Sequence, residues 1–173
     1  ELWEDTFQIY TDNKDAIEAF LAAANGMGEG RTSVIFTGAG TSDYVGDTVA
    51  PYLRHAGDTT TYDFKPIATT DIVSAPRDFL CPEEPTILVS FARSGNSPES
   101  LAAVEVAKKF VKNIKFLNIT CAPEGKPRRG ERRRSGCAHA AHPARERQGL
   151  RYDRQLQLHV AAYHAHLRHR RRR

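Results

Sequence analysis

Methionine is almost missing from this chain. Its single copy is Met27, so no initiator is present and the chain is expected to begin inside a longer protein. Cysteine is scarce as well. Cys81, Cys121 and Cys137 form an odd set without CxxC spacing, which offers no metal framework and fits a reducing, cytoplasmic setting. No apolar run approaches the ~20 residues that span a bilayer, so no membrane helix is expected. The opening stretch ELWEDTFQIY lacks a basic segment followed by an apolar one, and so is not a secretory leader. No internal repeat is found. What is present is 173 residues, 40% hydrophobic and 27% charged, enough for one packed domain and too apolar for complete disorder.

The net charge of +4 conceals two unlike regions. Residues 1–125 hold 10 Lys+Arg against 18 Asp+Glu, whereas residues 126–173 hold 15 against 3. Six of the seven His and fourteen of the eighteen Arg lie in the second region.

The first region alternates helical and strand patterns. Asp12 is placed to cap a helix over Lys14–Ala24, with Ile17, Phe20 and Leu21 on one face and Gly26, Gly28 and Gly30 after its end. Ser33–Thr37 is a β-branched apolar run of the kind that is buried on both faces of a sheet. Gly38-Ala39-Gly40 then turns the chain, Thr41 or Ser42 caps a helix over Asp43–His55, and Gly57 stops it. Strands are predicted at Thr59–Phe64, Thr86–Phe91 and Ile114–Thr120, with a short helix at Thr70–Ser74 among breaking prolines and another from Pro98 to about Val111. This order implies right-handed crossovers and an α/β fold with a doubly wound parallel sheet.

Two strand–loop–helix corners hold the candidate chemistry. FTGAGTSDYVG, residues 36–46, sets small residues after a strand and hydroxyls at a helix start. Glycines there let the backbone approach a ligand, and helix-start amides attract an anion. The corner is neither a Walker loop nor a complete GxGxxG, and a plain turn with a cap is the alternative. SFARSGNSPES, residues 90–100, repeats the arrangement with Ser94, Gly95, Asn96 and Ser97 ahead of Pro98-Glu99. Two such corners at the carboxyl ends of parallel strands face one crevice. Hydroxyls and amides without a nearby Lys or a carboxylate pair suit a phosphate monoester better than a nucleotide triphosphate.

With these residues in view, the sequence resembles the sugar isomerase (SIS) domain family over roughly residues 1–125. Within it the chain is most similar to the tagatose-6-phosphate ketose/aldose isomerase type, also described as amino-sugar-6-phosphate deaminases. IATTDIVS at 67–74 and ITC at 119–121 support that subfamily. The resemblance implies a five-stranded parallel sheet of flavodoxin-like order that binds phosphosugars. It implies that Ser42, Ser94 and Ser97 hold the sugar phosphate while Gly40, Thr41, Gly95 and Asn96 shape the pocket. Arg93 adjoins the second loop and can pair with phosphate, though an exposed Arg would look the same. The implied chemistry is aldose–ketose isomerisation, with loss of ammonia from a 2-amino sugar, and it needs neither metal nor cofactor. Family members carry two such domains, with proton-transfer groups largely from the second or from a neighbouring subunit. A homo-oligomer is therefore expected of the intact protein.

The expected organisation is N-terminal helices over 1–30, a partial SIS domain over 31–125 truncated after the fourth strand, and a basic, disordered tail over 126–173. The tail reads as a nucleic-acid-binding arm, as a His-rich metal binder without compact ligand spacing, or as a frameshift product. The last is favoured. Sliding the frame by one base over Ala138–Val160 permits V-N-D-R-G-F-A-M across Arg145–Tyr152 and T-G-S-F-S-Y-M-L across Asp153–Val160. Members of the SIS subfamily carry similar segments after the fourth strand. No specific nucleic-acid partner and no membrane partner are expected, and the chain as it stands is expected to be inactive.

Single residues are weighed the same way. Glu99 is a candidate general base beside the sugar, or simply a carboxylate favouring a helix dipole. Thr70 and Asp71 either face the sugar or cap a helix. His55 reads as a solvated cation at a helix end, Asp43 and Asp47 as a solvated helix face, and Lys108, Lys109, Lys112 and Lys115 as a solvated helix end. The rival functional class is a phosphosugar-sensing SIS domain of a regulator, which a helix-turn-helix ahead of the domain would favour; residues 1–30 show none. An amidotransferase of this family would need a glutaminase domain, also not seen.

Overall fold

The computed structural model describes residues 2–25, 27–92, 97–120 and 137–141. The chain runs α1 (Leu2–Asn25), β1 (Thr32–Gly38), a 3-10 turn (Gly40–Ser42), α2 (Asp43–Ala56), β2 (Tyr62–Pro66), α3 (Thr69–Ser74), α4 (Pro76–Phe79), β3 (Thr86–Ala92), α5 (Pro98–Phe110), β4 (Ile114–Thr120) and β5 (Cys137–Ala141). All neighbouring strands pair in parallel, in the order β2-β1-β3-β4-β5. The expected α/β class and flavodoxin-like order are both present.

Period-two alternation sorts the strand side chains into two apolar layers. Val34, Phe36, Phe64, Ile87, Val89, Phe91 and Leu117 meet Phe20 and Ala24 of α1 and Val45, Val49, Ala50 and Leu53 of α2. Ile35, Leu88 and Phe116 on the other face meet Ile72 of α3, Leu80, and Ala103 and Ala107 of α5. Phe36 is fully buried and stacks between Phe64 and Phe91, with ring centroids 6.3 and 6.1 Å away. Each such buried side chain contributes about 2–3 kcal/mol of transfer free energy, so β1 anchors the sheet from its centre. The chain leaves β1 by α2 on one face and leaves β3 by α5 on the other. The switch point of the winding therefore lies between β1 and β3.

Several boundaries differ from expectation, each for a local reason. Asp12 does not cap a helix; α1 begins at Leu2, and the Asp12 carboxylate accepts a bond from Gln8 Nε2 at 2.7 Å, one turn back inside the helix. β2 starts at Tyr62 because Asp58 Oδ1 holds the preceding turn, accepting from Thr60 N, Thr60 Oγ1 and Thr61 N at 3.0, 2.6 and 3.2 Å. Those bonds lower the Asp58 pKa to about 2. Pro76 opens α4 where prolines were expected only to break structure, since Pro at a first helical position has no amide to lose. Lys115 lies in β4 rather than at a helix end, with its ammonium 6.0 Å from the Phe20 ring centroid.

Beyond the four expected strands, one more short segment joins the sheet. Cys137–Ala141 adds β5 to β4, in register from Phe116↔Cys137 to Thr120↔Ala141. An open strand edge offers a row of backbone donors and acceptors, and these pair with backbone whatever the side-chain pattern. The CAHAA segment carries no strand alternation, so pattern reading passed over it. The remainder of the expected disordered tail lies outside the described residues. Among the described residues no helix is long and apolar enough to cross a membrane.

Candidate functional site

The site is built where β1 and β3 end. Gly38 is in register with Phe91, so the ends of β1 and β3 lie side by side, about 4.8 Å apart at the backbone. The helices they feed, α2 and α5, lie on opposite faces. Their positive N-terminal ends flank the crevice from both sides, a field that favours an anion.

At the first corner the chain is tightly wound. Gly40 takes φ +58°, the left-handed region, and starts the turn from an exposed position with open space around it. Thr41 is exposed and Ser42 is buried. Neither caps α2: Ser42 occupies the cap position but makes no side-chain cap bond there, which corrects the expected capping role. Instead, Ser42 N donates to Ala39 O at 3.3 Å and Asp43 N donates to Gly40 O, a tight turn that leads straight into the helix. Gly38 is a requirement of this corner. A Cβ on it would stand 2.5 Å from Ser42 C and 2.6 Å from Ser42 O.

The second corner is described from Ser97 onward. Arg93, Ser94, Gly95 and Asn96 lie outside the described residues. Ser97 is the N-cap of α5; its Oγ accepts from Ser100 N at 3.2 Å and donates to Ser100 Oγ at 2.7 Å. Glu99 is exposed in the first turn. The Ser97 hydroxyl oxygen thus already serves the helix, a use that the sequence reading did not assign.

A third element reaches the crevice. α3 starts immediately after β2, and Thr69, fully buried, donates from Oγ1 to Gly38 O at 3.0 Å. Ile67 N donates to Phe36 O at 2.9 Å just before it. Thr69 was missed because a β-branched polar residue in a proline-rich stretch looks like a loop; the TTD triplet after an apolar Ile was the available signal. Thr70 and Asp71 are exposed on the same first turn, where no side chain caps α3. Asp43 is half-buried, not solvated, and its pKa is raised by burial first and then by the charges of Asp47 and Asp71. Its Oδ1 is buried without a hydrogen-bond partner among the described residues. His55 is exposed in the last turn of α2, as expected. Among the described residues no three His, Cys, Asp or Glu side chains gather as a metal site would need.

A five-stranded parallel sheet whose winding reverses between β1 and β3 defines an open, doubly wound α/β domain. No family model matches the chain. Among curated proteins, it is 40% identical over 126 residues to the D-galactosamine-6-phosphate deaminase of Shewanella sp. strain ANA-3, covering 73% of this chain and 32% of that protein. It is 50% identical over 93 residues to the D-galactosamine-6-phosphate deaminase of Escherichia coli, covering 53% of this chain and 23% of that protein. Among solved structures, the tagatose-6-phosphate ketose/aldose isomerase from Escherichia coli superimposes with a TM-score of 0.72 at 36% identity, covering 82% of this chain and 37% of that one. The chain belongs to the SIS family, in the subfamily of these deaminases and isomerases. It spans about a third or less of the length of the curated relatives it matches.

Proposed function

We propose that this domain binds the phosphate of a hexose or amino-hexose 6-phosphate at the ends of β1 and β3, as part of a sugar-phosphate isomerase or deaminase. One observation carries the reading: the Gly38↔Phe91 register sets the ends of β1 and β3 side by side, with α2 and α5 starting beyond them. Gly40, Thr41 and Ser42 from one loop and Arg93, Ser94, Gly95, Asn96 and Ser97 from the other form the phosphate cradle. Glu99 is the proton-transfer group that this domain supplies. The names of the relatives support a phosphorylated sugar, and they divide between deaminase and ketose/aldose isomerase. Either reaction opens the ring and moves a proton between C2 and C1; in the deaminase, water then hydrolyses the resulting C2 imine to the ketone and ammonia. The intact enzyme works as a homo-oligomer in the cytoplasm.

The chain as it stands supplies too few acid–base groups for turnover, because enolisation and ring opening need more than one. The basic region after Gly125 is the product of a shifted reading frame, supported by the change of composition there and by relatives about three times longer than the aligned stretch. Five of its residues pair with β4 at the fifth-strand position.

Calorimetry of the full chain with galactosamine 6-phosphate, tagatose 6-phosphate and unphosphorylated galactosamine tests the binding half. Binding of the two phosphates and not of galactosamine is expected. Replacing Ser94 and Ser97 by Ala should weaken it by about 2–4 kcal/mol, the scale of two hydrogen bonds to a charged group, and unchanged affinity would overturn the cradle. Ammonia release and ketose formation by a frame-restored protein, with the present chain as control, separate deaminase from isomerase. Equal activity of the two proteins would refute the division of labour.

A further inference from the structure

The two loops are useful only at the right separation, and one element touches the machinery of both. α3 enters against β1, where Thr69 Oγ1 binds Gly38 O at 3.0 Å. Gly38 in turn is pressed against the backbone of Ser42 and Asp43, within 2.5 to 2.7 Å of any Cβ that could be placed there. From Thr69 to the first loop there is therefore an unbroken chain of buried contacts. On its other side α3 packs on α5: Ile72, fully buried, shares an apolar cluster with Ala103 and Ala107. α5 begins at Pro98, capped by Ser97, the last residue of the second loop.

We propose that Thr69 is a positioning residue that fixes the first anion loop relative to the second, through its bond to the Gly38 carbonyl. This rests on the phosphate-cradle reading of the loops given above. The residue touches no ligand; it acts through Gly38, the last strand residue before the turn. A methyl in place of the hydroxyl fills nearly the same volume but leaves that carbonyl without the bond. The turn then pivots about Gly38 while the apolar packing of α3 on α5 stays in place.

The test uses the full chain with Thr69→Val, Thr69→Ala, Thr69→Ser and Ser42→Ala. Affinity for galactosamine 6-phosphate is read by calorimetry, and amide hydrogen exchange is read over residues 39–42 with a thermal melt alongside. Expected are a roughly tenfold weaker affinity and faster exchange at 39–42 in the Val and Ala variants, as for one lost hydrogen bond. The Ser variant, which keeps the donor, should stay within about twofold of the parent by the same measure. A merely structural role would lower the melting temperature of all three Thr69 variants without confining the exchange change to the loop. Unchanged exchange at 39–42 in both Val and Ala variants overturns the proposal, as does unchanged affinity while Ser42→Ala binds weakly. If exchange at 39–42 rises but Ser42→Ala binds like the parent, the positioning role stands and the cradle reading falls instead. Two variants lacking the hydroxyl are used because either alone could fail to fold.

Discussion

The two corners of the crevice solve one problem in different ways. At the second, the sequence does the work locally: Ser97 caps its own helix and Pro98 fixes the first turn. At the first, no side chain caps α2, and the geometry is imposed from outside by Gly38 packed under Ser42 and by Thr69 reaching across from α3. A corner of the first kind is visible in a single stretch of sequence. A corner of the second kind becomes visible only when distant segments are brought together. The difference also predicts where substitutions hurt. The first corner should fail through backbone crowding, and the second should lose only the value of a cap.

The strongest blow is therefore Gly38→Ala. The added methyl meets backbone atoms of Ser42 and Asp43, which cannot rotate aside, and the strand above is fully buried. Overpacking of this kind costs about 3 kcal/mol. Urea unfolding should show the midpoint falling with little change of slope; a loss below about 1 kcal/mol would mean that the turn can shift and that the corner is not externally imposed. Gly40→Ala sharpens the contrast within the same turn. Open space surrounds Gly40, so only its φ of +58° resists a side chain, and the expected loss is about 1–2 kcal/mol.

At the second corner, Ser97→Ala removes the bond from Ser100 N and should cost about 1 kcal/mol of stability. Ser97→Asp keeps a capping acceptor and should restore most of that stability. It also places a carboxylate where the phosphate is proposed to sit, so it should not restore phosphosugar affinity. Recovery of both properties together would show that capping is all Ser97 does.

Much of this architecture was legible because parallel strands buried on both faces advertise themselves. Ile114–Thr120 and Thr86–Phe91 are runs of β-branched and aromatic residues, and they are found as β4 and β3 to within one residue. The helices α2 and α5 were marked by the Gly-rich turn and by Pro98. Features that depend on partners were not legible. The N-terminal half of α1 was passed over because Asp12 has the chemistry of a cap, while its carboxylate is engaged by Gln8 in the same helix. β5, Cys137–Ala141, carries no alternation in its sequence that would mark a strand. For the site, the two corners and their hydroxyls could be read from composition and order, whereas Thr69 and the half-buried state of Asp43 follow from the fold.

The smallest expected effect compares the acids that open the two helices. Asp43 and Glu99 each sit in a first helical turn, where the dipole favours a carboxylate by about 0.3–1 kcal/mol. Glu99 is exposed, so Glu99→Gln should give up a few tenths of a kcal/mol at pH 7. Asp43 should behave in the opposite sense. Burial and the nearby charges of Asp47 and Asp71 raise its folded-state pKa, and its Oδ1 has no hydrogen-bond partner among the described residues. A carboxyl whose folded pKa lies above its unfolded value is held more favourably while protonated. Its contribution is fully present below the unfolded pKa, ordinarily near 3.8, and is lost as pH rises through the folded value. Asp43→Asn should therefore melt higher than the parent at pH 7, and the gain should vanish near pH 3, where both proteins are neutral at this position. Melts at the two pH values check the sign directly. A variant that melts lower at pH 7 would show that the dipole outweighs burial and repulsion, and that the first corner, like the second, profits from its acid.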